Sequence, residues 1–307
     1  MNAIDTSPGA IQAEAGYIEA AWPLKHITLA GVTWPASEPD PQAERPLLCV
    51  HGWLDNCLSF SKLAPSLSFH RTTHAVDLAG HGLSGHRALG HGYLLMDYVA
   101  DLAELLDAHV FTGREQSVDL VGHSLGGIVC ALYAAAFPER VEKLVMIDSL
   151  GALSKPVHQT VAQLRRSIEK RLAGSGKPVV YPDIDTAAQA RAGGLSPLSH
   201  DAAHILTQRN MRPCEGGYVW RTDPRLRHPS PLMMTEEQVL ASLRALQSPT
   251  LLIRADAGLL ANRNGMEPRG AAIADLKNVT VPGGHHCHFD GNVQPVIETI
   301  RTFLNDE

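Results

Sequence analysis

The run Gly122-His123-Ser124-Leu125-Gly126-Gly127 constrains the fold more than any other part of the chain. It follows the apolar stretch Val118 to Val121 and opens an alanine-rich segment that runs through Phe137 and stops at Pro138. A short continuous apolar run reads as a strand covered on both faces, and the segment after it reads as a helix. Joining them within a few residues demands a sharp turn, which is why the serine is flanked by Gly122 and Gly126. Such a turn presents the Ser124 hydroxyl at the helix N-terminus, where backbone N–H groups lack partners and can hold an oxyanion. In this strand-turn-helix setting Gly-x-Ser-x-Gly is a nucleophile elbow, so Ser124 is the candidate nucleophile. An ordinary helix-capping serine is the competing reading.

The flanking sequence repeats the same alternation. Ile18 to Ala21 and Lys25 to Trp34 predict two opening strands, and the proline-rich segment that follows them excludes a helix. Leu47 to Val50 and His74 to Leu78 predict buried strands, each ending in a glycine-containing turn: His51-Gly52, and Ala79-Gly80-His81-Gly82. Leu94, Tyr98, Leu102, Leu105 and Leu106 recur at helical spacing within Tyr93 to Val110. Lys143 to Ile147 predicts a strand ending at Asp148. From 151 to 235 the strand rhythm lapses into helical pieces among Pro- and Gly-rich loops. It returns with a helix over Glu236 to Leu246, strands over Thr250 to Arg254 and Val279 to Val281, and a helix over Val293 to Leu304. The expected organisation is therefore one α/β core, 1–150 with 236–307, interrupted by a helical insertion at 151–235. That insertion holds twelve Lys and Arg against six Asp and Glu, a net charge of +6 in a chain of net charge −6. A basic lid on an acidic body suggests mutual attraction, or alternatively attraction of anionic substrates.

A serine nucleophile needs a base, and Pro282-Gly283-Gly284-His285-His286-Cys287-His288 supplies one between the last strand and the last helix. His285, directly after the glycines, is the expected base, with His286 as a substitute and His288 as a structural hydrogen-bonding residue. The four adjacent ligand types also raise a metal reading, but there is no second ligand cluster and four neighbours cannot all face one ion, so no metal is expected. The oxyanion hole is assigned to the N–H groups of Leu125, next after the nucleophile, and Trp53, where Gly52 allows close backbone approach. His51 and His123 are read as supporting residues.

Composition narrows the function classes. A net negative charge without an arginine-rich tail argues against nucleic acid as a partner. The five cysteines, Cys49, Cys57, Cys130, Cys214 and Cys287, are odd in number and scattered, which favours a reducing compartment over a disulfide framework. Neither a signal-peptide pattern nor a stretch of ~18 apolar residues is visible, so a cytoplasmic protein without a membrane span, monomeric or homodimeric, is expected.

Taken together, His51-Gly52-Trp53, Asp77-Leu78-Ala79-Gly80-His81-Gly82-Leu83-Ser84, Gly122 to Gly127 and Gly284-His285 resemble the α/β-hydrolase superfamily. His51-Gly52-Trp53-Leu54-Asp55-Asn56 and Leu144-Val145-Met146-Ile147-Asp148-Ser149-Leu150-Gly151 are similar to its serine hydrolase-like, or kraken-type, branch. The resemblance implies an eight-stranded, mostly parallel sheet, a helical cap after the sixth strand, a Ser-His-acid triad and no cofactor. The chain departs from the usual pattern at the acid. In most relatives the acid follows the strand matching Thr250 to Arg254, at the place held here by Gly258. Asp256, two residues earlier, and Asp148, after the preceding strand, are the alternatives, and Asp148 is favoured. The acid must reach the Nδ1–H of the base and fix its tautomer. The function expected is hydrolysis of small carboxylic esters with short or medium acyl chains. Alternatives are an acyl thioesterase whose basic cap receives an anionic carrier, and a non-catalytic ligand-binding member of the fold.

Overall fold

The computed structural model describes residues 16–39, 45–111 and 117–306. In chain order its regular elements are β1 (Ile18–Pro23), β2 (Thr28–Trp34), β3 (Leu47–Val50), α1 (Ala64–Leu67), β4 (Thr73–Val76), α2 (Leu95–Leu105), β5 (Val118–His123), α3 (Leu125–Ala136) and β6 (Val141–Ile147). The insertion follows with α4 (Thr160–Ala173), α5 (Ile184–Ala192), α6 (His200–Asn210), β7 (Met211–Cys214) and β8 (Gly217–Trp220). The core resumes with α7 (Glu236–Arg244), β9 (Thr250–Ala257), α8 (Met266–Ala271), β10 (Leu276–Gly284) and α9 (Gln294–Asn305).

Eight strands form one sheet in the order β1-β2-β4-β3-β5-β6-β9-β10. The first two pairings are antiparallel and the rest parallel. The central strands β3 and β5 are buried along their whole length, because helices cover both faces. Leu48, Val50 and Leu120 share one core with Leu102, Leu105, Val129 and Tyr133 of α2 and α3. Leu47, Cys49 and Val121, one residue out of phase, share the other with Val296, Ile300 and Phe303 of α9. A fully buried aliphatic side chain contributes about 1.5–3 kcal/mol, so the two cores fix the register on which the site depends.

Two regions depart from the sequence expectation. β10 is longer than Val279 to Val281, but its pairing with β9 shifts between Val281 and Gly284, across Pro282 and Gly283, and this irregularity hides its end in the sequence. The segment expected to be helical also contains the antiparallel hairpin β7-β8, where Met211 pairs with Trp220.

Ion pairs join helices α5 and α6 to the strands and loops of the sheet. Arg191 of α5 reaches Asp55 at 2.8 Å, and Arg209 of α6 reaches Asp77 at 2.8 Å and Glu19 at 2.7 Å. Asn56 Nδ2 donates to the Leu206 carbonyl at 2.8 Å. Arg225 donates to the carbonyls of Arg87, Ala88 and His91.

Candidate active site

Ser124 joins β5 to α3 with φ 51 and ψ −115, a backbone conformation that costs a non-glycine residue of order 1–3 kcal/mol. The neighbouring strands stabilise it: Ser124 N–H donates to the Ile147 carbonyl at 3.1 Å, and Ser149 Oγ donates to the Ser124 carbonyl at 2.7 Å. Gly126 is required by close approach, since a Cβ there would lie 1.9 Å from the Val50 carbonyl oxygen. Gly122 likewise packs directly on Gly127. Leu125 opens α3, so its N–H has no acceptor within the helix.

The His51-Gly52-Trp53 loop leaves β3 beside this elbow. A Cβ on Gly52 would lie 3.2 Å from Ser124 Cβ, so the loop backbone runs against Ser124. His51 secures the loop: its Nε2 accepts from Leu78 N–H at 3.0 Å, which leaves the proton on Nδ1 to donate to the Gly52 carbonyl at 2.7 Å. Burial lowers the His51 pKa, in keeping with this neutral tautomer. Trp53 turns its ring outward, where Nε1 donates to the Leu226 carbonyl at 3.2 Å and the Arg227 guanidinium lies 5.9 Å from the ring centroid.

His285 and Asp148 meet across the ends of β10 and β6. His285 Nδ1 lies 2.6 Å from Asp148 Oδ2, with the carboxylate wholly buried and the imidazole nearly so. A donor on Nδ1 leaves Nε2 as the basic nitrogen of the neutral ring. Asp148 has φ 43, and its own N–H donates to the Ile253 carbonyl at 2.7 Å. Its Oδ2 also accepts from Leu259 N–H at 2.7 Å. Gly258 lies directly against this carboxylate: a Cβ there would come within 2.5 Å of Asp148 Oδ2. The space above the end of β9 is therefore filled by the carboxylate from β6, and only a glycine at 258 leaves room for it. Asp256, the alternative acid, instead accepts from Gly283 N–H at 2.9 Å and closes the turn before His285.

The other histidines of the two motifs form a buried cluster. His123 Nε2 donates to the His285 carbonyl at 2.9 Å, and its ring centroid lies 4.3 Å from that of His288 and 4.9 Å from that of His286. Burial first, then the neighbouring imidazoles, hold His123 and His288 far below the ordinary histidine pKa, so both are neutral. His286, weighed above as a substitute base, is engaged elsewhere: its Nε2 lies 2.9 Å from Asp55 Oδ2. Burial alone would raise the Asp55 pKa, but His286 and then Arg191 hold it well below the carboxylate range. Among the described residues, Asp55, His123 and His286 are the group with ligand types and spacing suited to a cation, within 4.8 Å of one another. Here the Asp55 oxygens already carry Arg191 and His286.

Asp55 and Arg191 were missed as site residues by sequence reasoning. Asp55 appeared only as part of a family motif, and nothing near Arg191 in the chain marks it, because its partner is 136 residues away. Yet Asp55 lies two residues beyond Trp53, binds the neighbour of His285, and receives a cation from the insertion.

Known proteins share this arrangement of chain. A family model for the α/β hydrolase fold matches residues 45–184. A serine hydrolase-like protein of Danio rerio is 31% identical over 303 residues, covering 94% of this chain and 89% of that protein. The solved structure of a hypothetical protein from Pseudomonas aeruginosa PAO1 superposes with a TM-score of 0.86 at 36% identity, covering 94% of this chain and 99% of that one. E-2-(acetamidomethylene)succinate hydrolase superposes with a TM-score of 0.72 at 25% identity, covering 94% of this chain and all of that one.

Proposed function

The chain belongs to the α/β hydrolases, among the serine hydrolase-like proteins, and from that membership we propose that it hydrolyses carboxylic esters through Ser124, His285 and Asp148. The contact of 2.6 Å between His285 Nδ1 and Asp148 Oδ2, together with a serine held at φ 51 in the turn between β5 and α3, supports the reading. In the first step His285 Nε2 takes the Ser124 proton as Oγ bonds to the ester carbonyl carbon, and the oxygen becomes an oxyanion held by the N–H groups of Leu125 and Trp53. Collapse breaks the bond to the alcohol oxygen, which leaves with the proton from His285. Water then repeats the sequence on the acyl-enzyme, releasing the acid and restoring Ser124. Asp148 keeps the imidazole in the tautomer with a free Nε2 and stabilises its cationic form. Residues 151–235 act as the cap over a core of 1–150 and 236–307. The His-Gly-Trp loop, running tightly against Ser124, favours short or medium acyl chains.

The anionic-carrier thioesterase is the weaker reading, because Arg191, Arg209 and Arg225 of the basic segment are already engaged by the core and its loops. The non-catalytic reading is weaker too, since the base has a carboxylate in reach. A p-nitrophenyl ester series from acetate to palmitate tests the proposal. Wild type should be fastest at the short end and should accumulate a covalent acyl adduct visible by intact mass, and Ser124→Ala should lose both. Equal turnover by Ser124→Ala, or an inactive wild type at every chain length, would overturn it.

A further inference from the structure

The turn that carries Trp53 is strained. Asp55 N–H donates to the Gly52 carbonyl at 3.2 Å, so Gly52 to Asp55 form a four-residue turn, with Leu54 in its third position at φ 66. A positive φ at that position favours glycine, because a Cβ there crowds the backbone. Besides Leu54, the described residues other than glycine with positive φ are Ser124 and Asp148, both members of the proposed triad. Such conformations persist only where the surroundings over-determine them, and they cluster at functional sites.

The contacts around Leu54 come from the insertion, which meets each of the four consecutive residues from Trp53 to Asn56. Trp53 Nε1 donates to the Leu226 carbonyl at 3.2 Å, and the Leu54 carbonyl accepts from Asn210 Nδ2 at 3.4 Å. Asp55 Oδ1 accepts from the Arg191 guanidinium at 2.8 Å, and Asn56 Nδ2 donates to the Leu206 carbonyl at 2.8 Å. Three parts of the insertion supply these contacts: α5, α6 and the stretch that holds Leu226. From the other side, His286 Nε2 meets Asp55 Oδ2 at 2.9 Å. Asn210 and Asp55 are buried, so water is a poor substitute for these partners. A backbone N–H points where its turn directs it, and an oxyanion donor must lie within about 3 Å of the developing charge. We propose that the insertion assembles the oxyanion hole, with Arg191 and Asn210 as positioning residues that hold the turn and so aim the Trp53 N–H. The inference rests on the hydrolase reading above. It adds a condition to it: the donor is in place only while the insertion is seated on the loop.

Kinetics of variants checked for folding by circular dichroism test this. The pair Arg191→Gln with Asn210→Leu should lower kcat for p-nitrophenyl butyrate by about tenfold to hundredfold and change KM less than about threefold. It should weaken an alkyl trifluoromethyl ketone by a similar factor. With that inhibitor Ser124 Oγ bonds to the ketone carbon, His285 takes the proton, and the ketone oxygen becomes an oxyanion with no leaving group to expel. Arg191→Lys, which keeps a cation at Asp55, should recover most of what Arg191→Gln loses. The single variants Arg191→Gln and Asn210→Leu should each show part of the loss, which keeps the test open if the pair does not fold. The proton between His285 Nδ1 and Asp148, read by NMR, should persist in the pair. Its disappearance would route the loss through the base and overturn the inference. An active wild type whose paired variant keeps its kcat, or changes only in KM, overturns the inference and leaves the hydrolase reading standing. A wild type inactive on every ester overturns both.

Discussion

Two neighbouring parallel strands, β6 and β9, each carry an aspartate at the C-terminal edge of the sheet, and the two residues have opposite fates. Asp148 leaves β6 with a positive φ that turns its carboxylate into the interior, 2.6 Å from His285 Nδ1. Asp256 stays within β9, exposed, and its carboxylate satisfies the backbone of Gly283. Both contact the loop that carries His285. The difference is the direction in which the backbone aims the carboxyl group, and the glycine at 258 records it by leaving vacant the space that Asp148 fills. On the proposed mechanism the triad acid is the one with reach and burial, whichever strand carries it.

The largest expected effect on this comparison comes from Asp148→Asn. With the tautomer no longer fixed, kcat for p-nitrophenyl butyrate should fall by about a thousandfold to ten-thousandfold. Moving the acid back to β9 should sharpen the contrast. Asp148→Gly combined with Gly258→Asp starts a carboxyl group from the vacated space and should regain at least about tenfold over Asp148→Gly alone in the same assay. Gly258→Asp by itself should impair the enzyme, because two carboxylates would compete for one buried volume.

Asp55→Asn should have an intermediate effect. Asp55 ties Arg191 to His286, the neighbour of His285, so if the proposed mechanism holds its loss should lower kcat by about tenfold and change KM little. A structural role alone would lower stability while leaving kcat per folded molecule unchanged, and denaturation curves run beside the kinetics distinguish the two.

Acid should weaken the folded protein through its buried histidines. Burial holds the pKa of His81 at about 3 and those of His51, His123 and His288 below the ordinary value, so in the folded protein they resist protonation. Unfolded histidines bind protons from about pH 6.5 downward. The unfolded state therefore takes up more protons as pH falls, and stability declines by up to about 1.4 kcal/mol per histidine per pH unit. Thermal unfolding between about pH 7 and pH 5 should show Tm falling steadily with acidification. The smallest effect is expected from Asp256→Asn, which keeps an oxygen acceptor for Gly283 N–H and should alter kcat/KM by less than about threefold.

How much of this was legible in the sequence follows from the range of each interaction. The elbow was legible because strand, turn and helix are contiguous, and each needs residue types that local sterics dictate. The strands β3 and β5 were legible because burial on both faces leaves an unbroken apolar run. The acid was narrowed to two aspartates, yet the letters do not carry the φ of 43 that separates them. The hairpin β7-β8 was lost because its strands are four residues each and its pairing is partly exposed. Asp55 and Arg191 were lost because their meaning lies in a contact across 136 positions. Helix α4 was readable as a helix, but only the structure leaves its Val161, Leu164, Ile168 and Leu172 exposed.

The contact between His285 and Asp148 can be observed directly as the proton it holds. Proton NMR of the enzyme with nitrogen-15-labelled histidine should show a strongly downfield resonance on the His285 Nδ1 nitrogen, retained in Asp256→Asn and absent in Asp148→Asn. A resonance that survives Asp148→Asn and disappears in Asp256→Asn would contradict the assignment of the acid and return it to β9.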